Sequence, residues 1–314
     1  MNSRQSVSLT ELSELVSGKL IGDSKLKVFG LEDLAHAGVD QLAICFSEKE
    51  SFIKTKAAAV LTDKEYSQFK NQIVVKNSRV AMAKVLNLFY SYAVTEHFVH
   101  PTAVIDPSAK IEKPVFIGPH CVIEKNTQIA KGCKFIANVY IGANVIISEN
   151  VCLHPGVVIG SDGYGYADDG KTHLKIVHRG GVVIEKNVEI GANSVVNQGT
   201  FRPTVIGEGA KFDSHVHVAH NAQIGKRVLI VSQSNVAGSA VIGDETIIAG
   251  RSGVADHVTL GKRTKLLAFS AAIKDHPDDS VLSGFPAEDH AFQLKLQAFL
   301  RSLFKKSQKV KTEK

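Results

Sequence analysis

The sequence predicts a mainly β protein, a parallel β-helix of six-residue sides with an α/β domain before it and a helical segment after it. Three observations carry this. From Ile105 an aliphatic or large apolar residue returns at every sixth position, through Ile111, Ile117, Ile123, Ile129, Phe135, Ile141, Ile147, Leu153 and Ile159. The pattern resumes at Ile184, Ile190 and Val196, then shifts phase and runs from Ile206 to Ala272. The stretches on either side lack this period and read as ordinary helices and strands. A helix repeats at 3.6 and a strand at 2, so a period of six describes short strands, each sending an apolar residue inward before a corner.

In chain order, Ser8 and Glu11 form a capping box ahead of the stripe Leu12, Leu15 and Val16, which Gly18 closes. The segments AAAVLT and QIVVKN read as buried strands and RVAMAKVLNLFYSYAV as a helix, making residues 1–99 an α/β domain. His100 and Pro101 open the solenoid, which occupies residues 100–285. Three sides make a triangular coil of about eighteen residues, with neighbouring coils about 4.8 Å apart, so residues eighteen apart stack. Gly118, Gly142, Gly160, Gly191, Gly207, Gly225, Gly243 and Gly261 follow the apolar anchors and mark corners. Ser161 to Val177 cannot keep the period and is expelled as a loop carrying Tyr164 and Tyr166, the kind of segment on which function concentrates. After FPAEDH, residues 286–314 form a tail with Phe292, Leu296, Phe299, Leu300 and Leu303 on one helical face and cations on the other.

Composition narrows the function. The chain has 314 residues, 44% hydrophobic and 22% charged, too apolar for general disorder and without a tract that spans a bilayer. Thr10, Glu11, Ser13 and Glu14 interrupt the N-terminus, so no signal peptide and a cytoplasmic location are expected. Cys45, Cys121, Cys133 and Cys152 have neither metal nor framework spacing and are expected to be reduced packing residues. The net charge of +6 is matched by the stretch after Gln293, where Lys295, Arg301, Lys305, Lys306, Lys309, Lys311 and Lys314 face only Glu313. A nearly neutral body argues against a nucleic-acid groove, and a cationic tail suits one acidic partner.

The segments TKAAAVL, VVKNSRVAMAKVLNLF, HPTAVIDPSAKI, HPGVVIGSDGYGYADDG, VEIGANS, VHVAHNAQIG, GVADHVTLG and SGFPA occur in one order over nearly the whole chain. In this the sequence resembles the UDP-3-O-acylglucosamine N-acyltransferases of the lipid A pathway. The resemblance implies a left-handed β-helix, a homotrimer, and transfer of a hydroxyacyl chain from acyl carrier protein to the 2-amine of a UDP-linked, 3-O-acylated glucosamine. No permanently bound cofactor is expected, the donor being acyl-phosphopantetheine on the carrier.

Acyl transfer from a thioester to an amine needs a base for the amine proton and donors for the tetrahedral oxyanion. His220 lies two residues past anchor Val218, beside a corner, where Asp213 is expected to orient its other ring nitrogen; Gly238 stacks one coil above. The resemblance assigns base, orienter and oxyanion donor to the positions of His220, Asp213 and Gly238. It assigns a second active-site histidine to His257, next to Asp256 where the family usually has glycine. His215, His217 and His220 spell H-x-H-x-x-H but lack a carboxylate cluster, so no metal is expected.

Two stretches depart from the family. Its D-L-S-F-L-x-N-P-K-Y, whose Phe, Asn and Tyr hold uracil, is here QLAICFSEKE, with Ile44, Ser47 and Glu50 at those places and Phe46 two residues along from the aromatic one. Its T-I-D-R-G-x-x-D-D-T is shortened to NQGTFRPT, keeping Arg202. Phe269, Ala271 and Ile273 fall where the family's acyl groove ends, and Arg301, Lys305 and Lys306 are the expected carrier contacts. The alternatives are a paralogue with altered sugar specificity, a coenzyme A-dependent sugar acetyltransferase, and a non-catalytic trimeric scaffold.

Overall fold

The computed structural model describes residues 6–90 and 93–312, with side chains as far as Phe304. The chain divides into two compact units at Ala93 and Val94, while the sequence placed the boundary at residue 99; Phe98–Val99 already pairs with Phe116–Ile117 of the solenoid.

In the first unit the capping box forms: Ser8 Oγ accepts from Glu11 N at 3.3 Å and Glu11 Oε2 accepts from Ser8 N at 2.8 Å. Helix α1, Leu9–Val16, ends on Ser17 in the left-handed region at φ 53°, not on Gly18. Gly18 is required for another reason, since a Cβ there would stand 2.6 Å from Ile73 Cγ2. A five-stranded sheet follows the order Lys19–Ile21, Gln72–Val74, Ala59–Thr62, Leu42–Cys45, Leu31–Asp33; its first pair is antiparallel and the rest parallel. The short α2, Glu48–Ser51, follows the Leu42–Cys45 strand, and α3, Ser78–Phe89, stops at Tyr90, earlier than the apolar pattern suggests. Leu9, Leu12, Leu42, Leu61 and Ile73 are the fully buried centre.

The second unit is a parallel β-helix with three long sheets. All anchors from Ile117 to Ala272 are buried, and stacked partners such as Val122 and Tyr140 or Val218 and Val236 are eighteen apart. Two features were not read from the period. Each side buries a second, smaller residue two before the anchor, such as Val115, Thr127, Val139 or Ser234. Where this residue is Ser or Thr its hydroxyl is hydrogen-bonded, usually by donating to a carbonyl, as Ser234 Oγ does to Ala249 O at 2.9 Å and Thr246 Oγ1 to Gly261 O at 3.0 Å, while Thr204 Oγ1 accepts from Asn221 N. Cys121 and Cys133 lie in this same column, buried and free.

The corners also differ from expectation. The left-handed residue stands three after the anchor and is often asparagine, as at Asn126, Asn144, Asn187 and Asn221, with φ between 59° and 62°. Among the eight glycines just after anchors only Gly160 has a positive φ. Gly207 shows what the others do: a Cβ would stand 2.6 Å from the backbone of Gly225 in the next coil. Phe135 is wholly buried in the stack, and Phe135→Ala is expected to cost about 3–5 kcal/mol. A denaturation midpoint unchanged from the parent would contradict this packing.

The last coil leads into helix α4, His290–Thr312, on which Phe292, Leu296, Phe299, Leu300 and Leu303 are exposed in the single chain.

Candidate active site

The two breaks in the six-residue period lie at one corner. Ile159 pairs with Val196, 37 residues on, and Val196 with Val218, 22 on, where the regular step is 18. The first coil thus carries 37 − 18 = 19 extra residues and the second 22 − 18 = 4. Both depart after the same sheet, before Ile184 and Ile206 resume the next one. His220 occupies that corner one coil further on, and Gly238 one coil beyond His220.

The first insert is a hairpin, Tyr166–Asp168 antiparallel to His173–Lys175, where the sequence suggested only an expelled loop. Its base closes on His220. The ring centroids of His178 and His220 are 4.8 Å apart with planes at 57°. A Cβ on Gly163 would stand 2.7 Å from His178 Nε2 and 2.8 Å from His220 Cβ and Cδ2. From the coil above, Gly238 meets the opposite side of the imidazole, where a Cβ would stand 2.8 Å from Cε1 and 3.0 Å from Nε2. Glycine at both places is what lets backbone approach the ring.

The second insert fixes the tautomer. Thr200 N donates to Asn221 Oδ1 at 3.2 Å and Thr200 Oγ1 to the same atom at 3.0 Å; His220 Nδ1 lies 3.0 Å from it. A backbone N–H is an obligatory donor, so the atom it meets is the carboxamide oxygen, and His220 Nδ1 must carry the proton. Nε2 is left with its lone pair, on the side of Gly238. Asn221 is held in turn by its left-handed φ of 62° and by its own N–H, which donates to Thr204 Oγ1 at 2.9 Å.

Asp213 does not orient His220 within the chain, which corrects the sequence reading. It follows anchor Phe212 at the preceding corner, and its carboxylate accepts from Ser214 N at 2.7 Å and Ser232 N at 3.3 Å. Asn221 makes the contact expected of it. Nearby, His217 Nε2 joins Asn197 Oδ1 at 2.8 Å, and Asn197 Nδ2 donates to Ser161 Oγ and Asp162 O, both at 3.0 Å. Burial would raise the Asp162 carboxyl, but Lys175 and Gln198 outweigh it and hold the group below its usual range.

The other expected residues are spread more widely. His257 is exposed, two coils above Asn221 and so roughly 10 Å along the axis; its N–H donates to Gly238 O at 3.0 Å. Tyr164 and Tyr166 stack edge to face at 5.2 Å, and Tyr164 is 87% exposed, so neither plugs the solenoid. Phe269 is exposed beneath the Arg251 guanidinium, 5.5 Å from its centroid; Ile273 is exposed, and Ala271 is flanked by Gly284 and Ala287, whose backbone it bonds. Arg301 is exposed on α4, whereas the side chains of Lys305 and Lys306 lie outside the described residues.

In the first unit, Ile44 is buried in the core, Ser47 caps α2 by accepting from Glu50 N at 3.4 Å, and Glu50 Oε2 accepts from Phe46 N at 2.8 Å. None of the three residues at the uracil positions offers a ring, and Phe46, two residues along, is exposed.

Among the described residues one set of donor atoms lies within 4.8 Å, those of Cys152, His154 and Glu189, and it is not the histidine set of the sequence. Burial and then Glu189 push the Cys152 thiol up to about 11, and His154 Nε2 is already joined to Glu189 Oε1 at 2.8 Å. A cleft of about 710 Å³, lined by residues such as Ile146, Glu185 and Lys226, contains none of the His220 corner. His178 carries no signal in the periodic reading, since it falls in an insert; only the contact with His220 reveals it.

No family model matches the chain. Curated relatives do. A UDP-3-O-acylglucosamine N-acyltransferase 1 of Gloeobacter violaceus is 38% identical over 93% of this chain and 90% of that protein. One of Legionella pneumophila is 35% identical over 71% of this chain and 70% of its own, and the enzyme of Anaeromyxobacter dehalogenans 32% over 73% and 72%. Among solved structures, UDP-N-acetylglucosamine acyltransferases of Bacteroides fragilis and Francisella novicida are each 27% identical. Their TM-scores are 0.56 and 0.55, covering 61% and 64% of this chain and 73% of each of theirs. With a left-handed β-helix, and a relative 38% identical over 93% of its length, the chain belongs to the UDP-3-O-acylglucosamine N-acyltransferase family.

Proposed function

We propose that the chain transfers a (3-hydroxy)acyl group from the phosphopantetheine thioester of acyl carrier protein to the 2-amine of UDP-3-O-acylglucosamine, or of a related amino sugar, in lipid A synthesis. The observation that carries this is the His220 tautomer: Nδ1–H bound to Asn221 leaves Nε2 as a base beside Gly238. The amine nitrogen attacks the thioester carbonyl while Nε2 takes its proton. Gly238 N–H, which makes no hydrogen bond among the described residues, donates to the oxyanion. Collapse breaks the C–S bond, and the proton on Nε2 passes to the departing sulfur, leaving an amide and a free thiol.

A homotrimer supplies the facing wall that an outward corner lacks, and His257 and Asp213 then act across it. Tyr164 and Tyr166 on the second unit and, as a separate surface, Phe46 on the first are candidates for the sugar nucleotide, and Phe269, Ala271 and Ile273 for the end of the acyl chain. This reading places the enzyme in the cytoplasm beside its carrier; no helix among the described residues is long and apolar enough to cross a membrane.

The test is purified protein with carriers of graded acyl length and a panel of amino-sugar nucleotides, read by mass spectrometry; no amide product from any pair would end the reading. The carrier has its own prediction. Acyl carrier proteins are acidic, so reversing Arg301, Lys305 and Lys306 to Glu is expected to raise KM for the acylated carrier, and salt to do the same to the parent, through a field screened over about 8–10 Å. A pantetheine thioester should be used equally by both. Equal KM for the carrier at low salt would remove the tail from this role.

A further inference from the structure

The mechanism above leaves one buried imidazole unused. His178 is 4% exposed, and its Nδ1 is buried without a hydrogen bond. Such an atom costs stability that an apolar ring of similar size would not, so its nitrogen earns nothing for the fold. Being sealed, Nδ1 is also closed to a ligand. What His178 does present is its ring, 4.8 Å from that of His220. Burial, and then the His220 imidazole beside it, hold its pKa below the ordinary histidine range.

His220 needs such a neighbour. Its imidazole is tied at one atom, Nδ1, and a ring held at one atom can still swing about its side-chain torsions. Gly163 and Gly238 bound it with backbone, and His178 closes the side between the solenoid and the base of the hairpin. Gly163 and Gly165 in turn seat His178, since a Cβ on either would stand within 2.8 Å of its ring.

We propose that His178 is a positioning residue that fixes the His220 imidazole by ring contact, using the shape of its ring and not its nitrogens. This rests on His220 being the base. The test compares kcat and KM for His178→Ala and His178→Phe, each alone and with His220→Ala, alongside crystal structures of the single variants. His178→Ala is expected to lower kcat about tenfold with KM nearly unchanged, His178→Phe to stay within about threefold of the parent, and His178→Ala to cost nothing further once His220 is absent. His220 should show one rotamer in the parent and the Phe variant and more than one in the Ala variant.

An Ala variant with parental kcat, a Phe variant as impaired as Ala, or an equal cost of His178→Ala in the His220→Ala background would each overturn the proposal. Should the Phe variant not fold, the two alanine comparisons decide alone. A parent without transferase activity would instead count against the proposed function, and the His220 rotamers would still decide the role of His178.

Discussion

His220→Ala is expected to lower kcat by roughly 10²–10⁴ with the fold and assembly unchanged. The size follows from the chemistry. An attacking amine must lose a proton as the C–N bond forms, and Nε2 is the nitrogen that the Thr200–Asn221 contacts leave unprotonated. Fold should survive because His220 is only half-buried and stands outside the stacked core, whose nearest anchor is Val218. Rates are to be compared at matched saturation, with light scattering and a thermal midpoint as controls. A variant as active as the parent would take the base away from His220.

Gly238→Ala should have the next largest effect, about 10- to 100-fold on kcat, since a displacement near 1 Å can cost on the order of 10²-fold. A Cβ 2.8 Å from His220 Cε1 and 3.0 Å from Nε2 lies inside van der Waals contact, so the ring must turn away, which strains its bond to Asn221. The backbone itself has no objection, because Gly238 is not among the residues with positive φ. Loss of activity with an unchanged thermal midpoint is therefore the expected pair of results. Parental activity would mean that the ring has slack, and that the cage around it is not part of catalysis.

The solenoid was legible because its physics is periodic. Ile117, Ile141 and Ile230 each had to face inward, and a period of six admits few other folds. What the period concealed is just as physical. Small inward residues such as Ser234 and Thr246 look like surface residues in a sequence, because their carbonyl partners lie fifteen residues on, in the next coil. Glycine after an anchor suggested a turn, while the left-handed conformation fell to Asn221 and its stacked equivalents.

The site was legible in part. His220 and Gly238 stand one coil apart as eighteen-residue stacking requires, and the structure brings them into contact. Asp213 does not reach His220 within the single chain, because it follows Phe212 at the preceding corner and its carboxylate is taken up by Ser214 N and Ser232 N. Thr200 and His178 lie in inserts, where no register applies, and their contacts with the corner become visible only in three dimensions. Ser47 and Glu50 departed from the family's pattern in sequence, and the structure gives them a local task at the start of α2.

The most direct measurement is a single turnover of purified enzyme with acyl carrier protein and UDP-3-O-acylglucosamine, followed by mass spectrometry of both products. The account predicts one added acyl group on the sugar, resistant to mild base as an amide is, with an equal amount of carrier returned as free thiol. An intact acyl carrier and an unmodified sugar after prolonged incubation, or an added acyl group labile as an ester is, would contradict it.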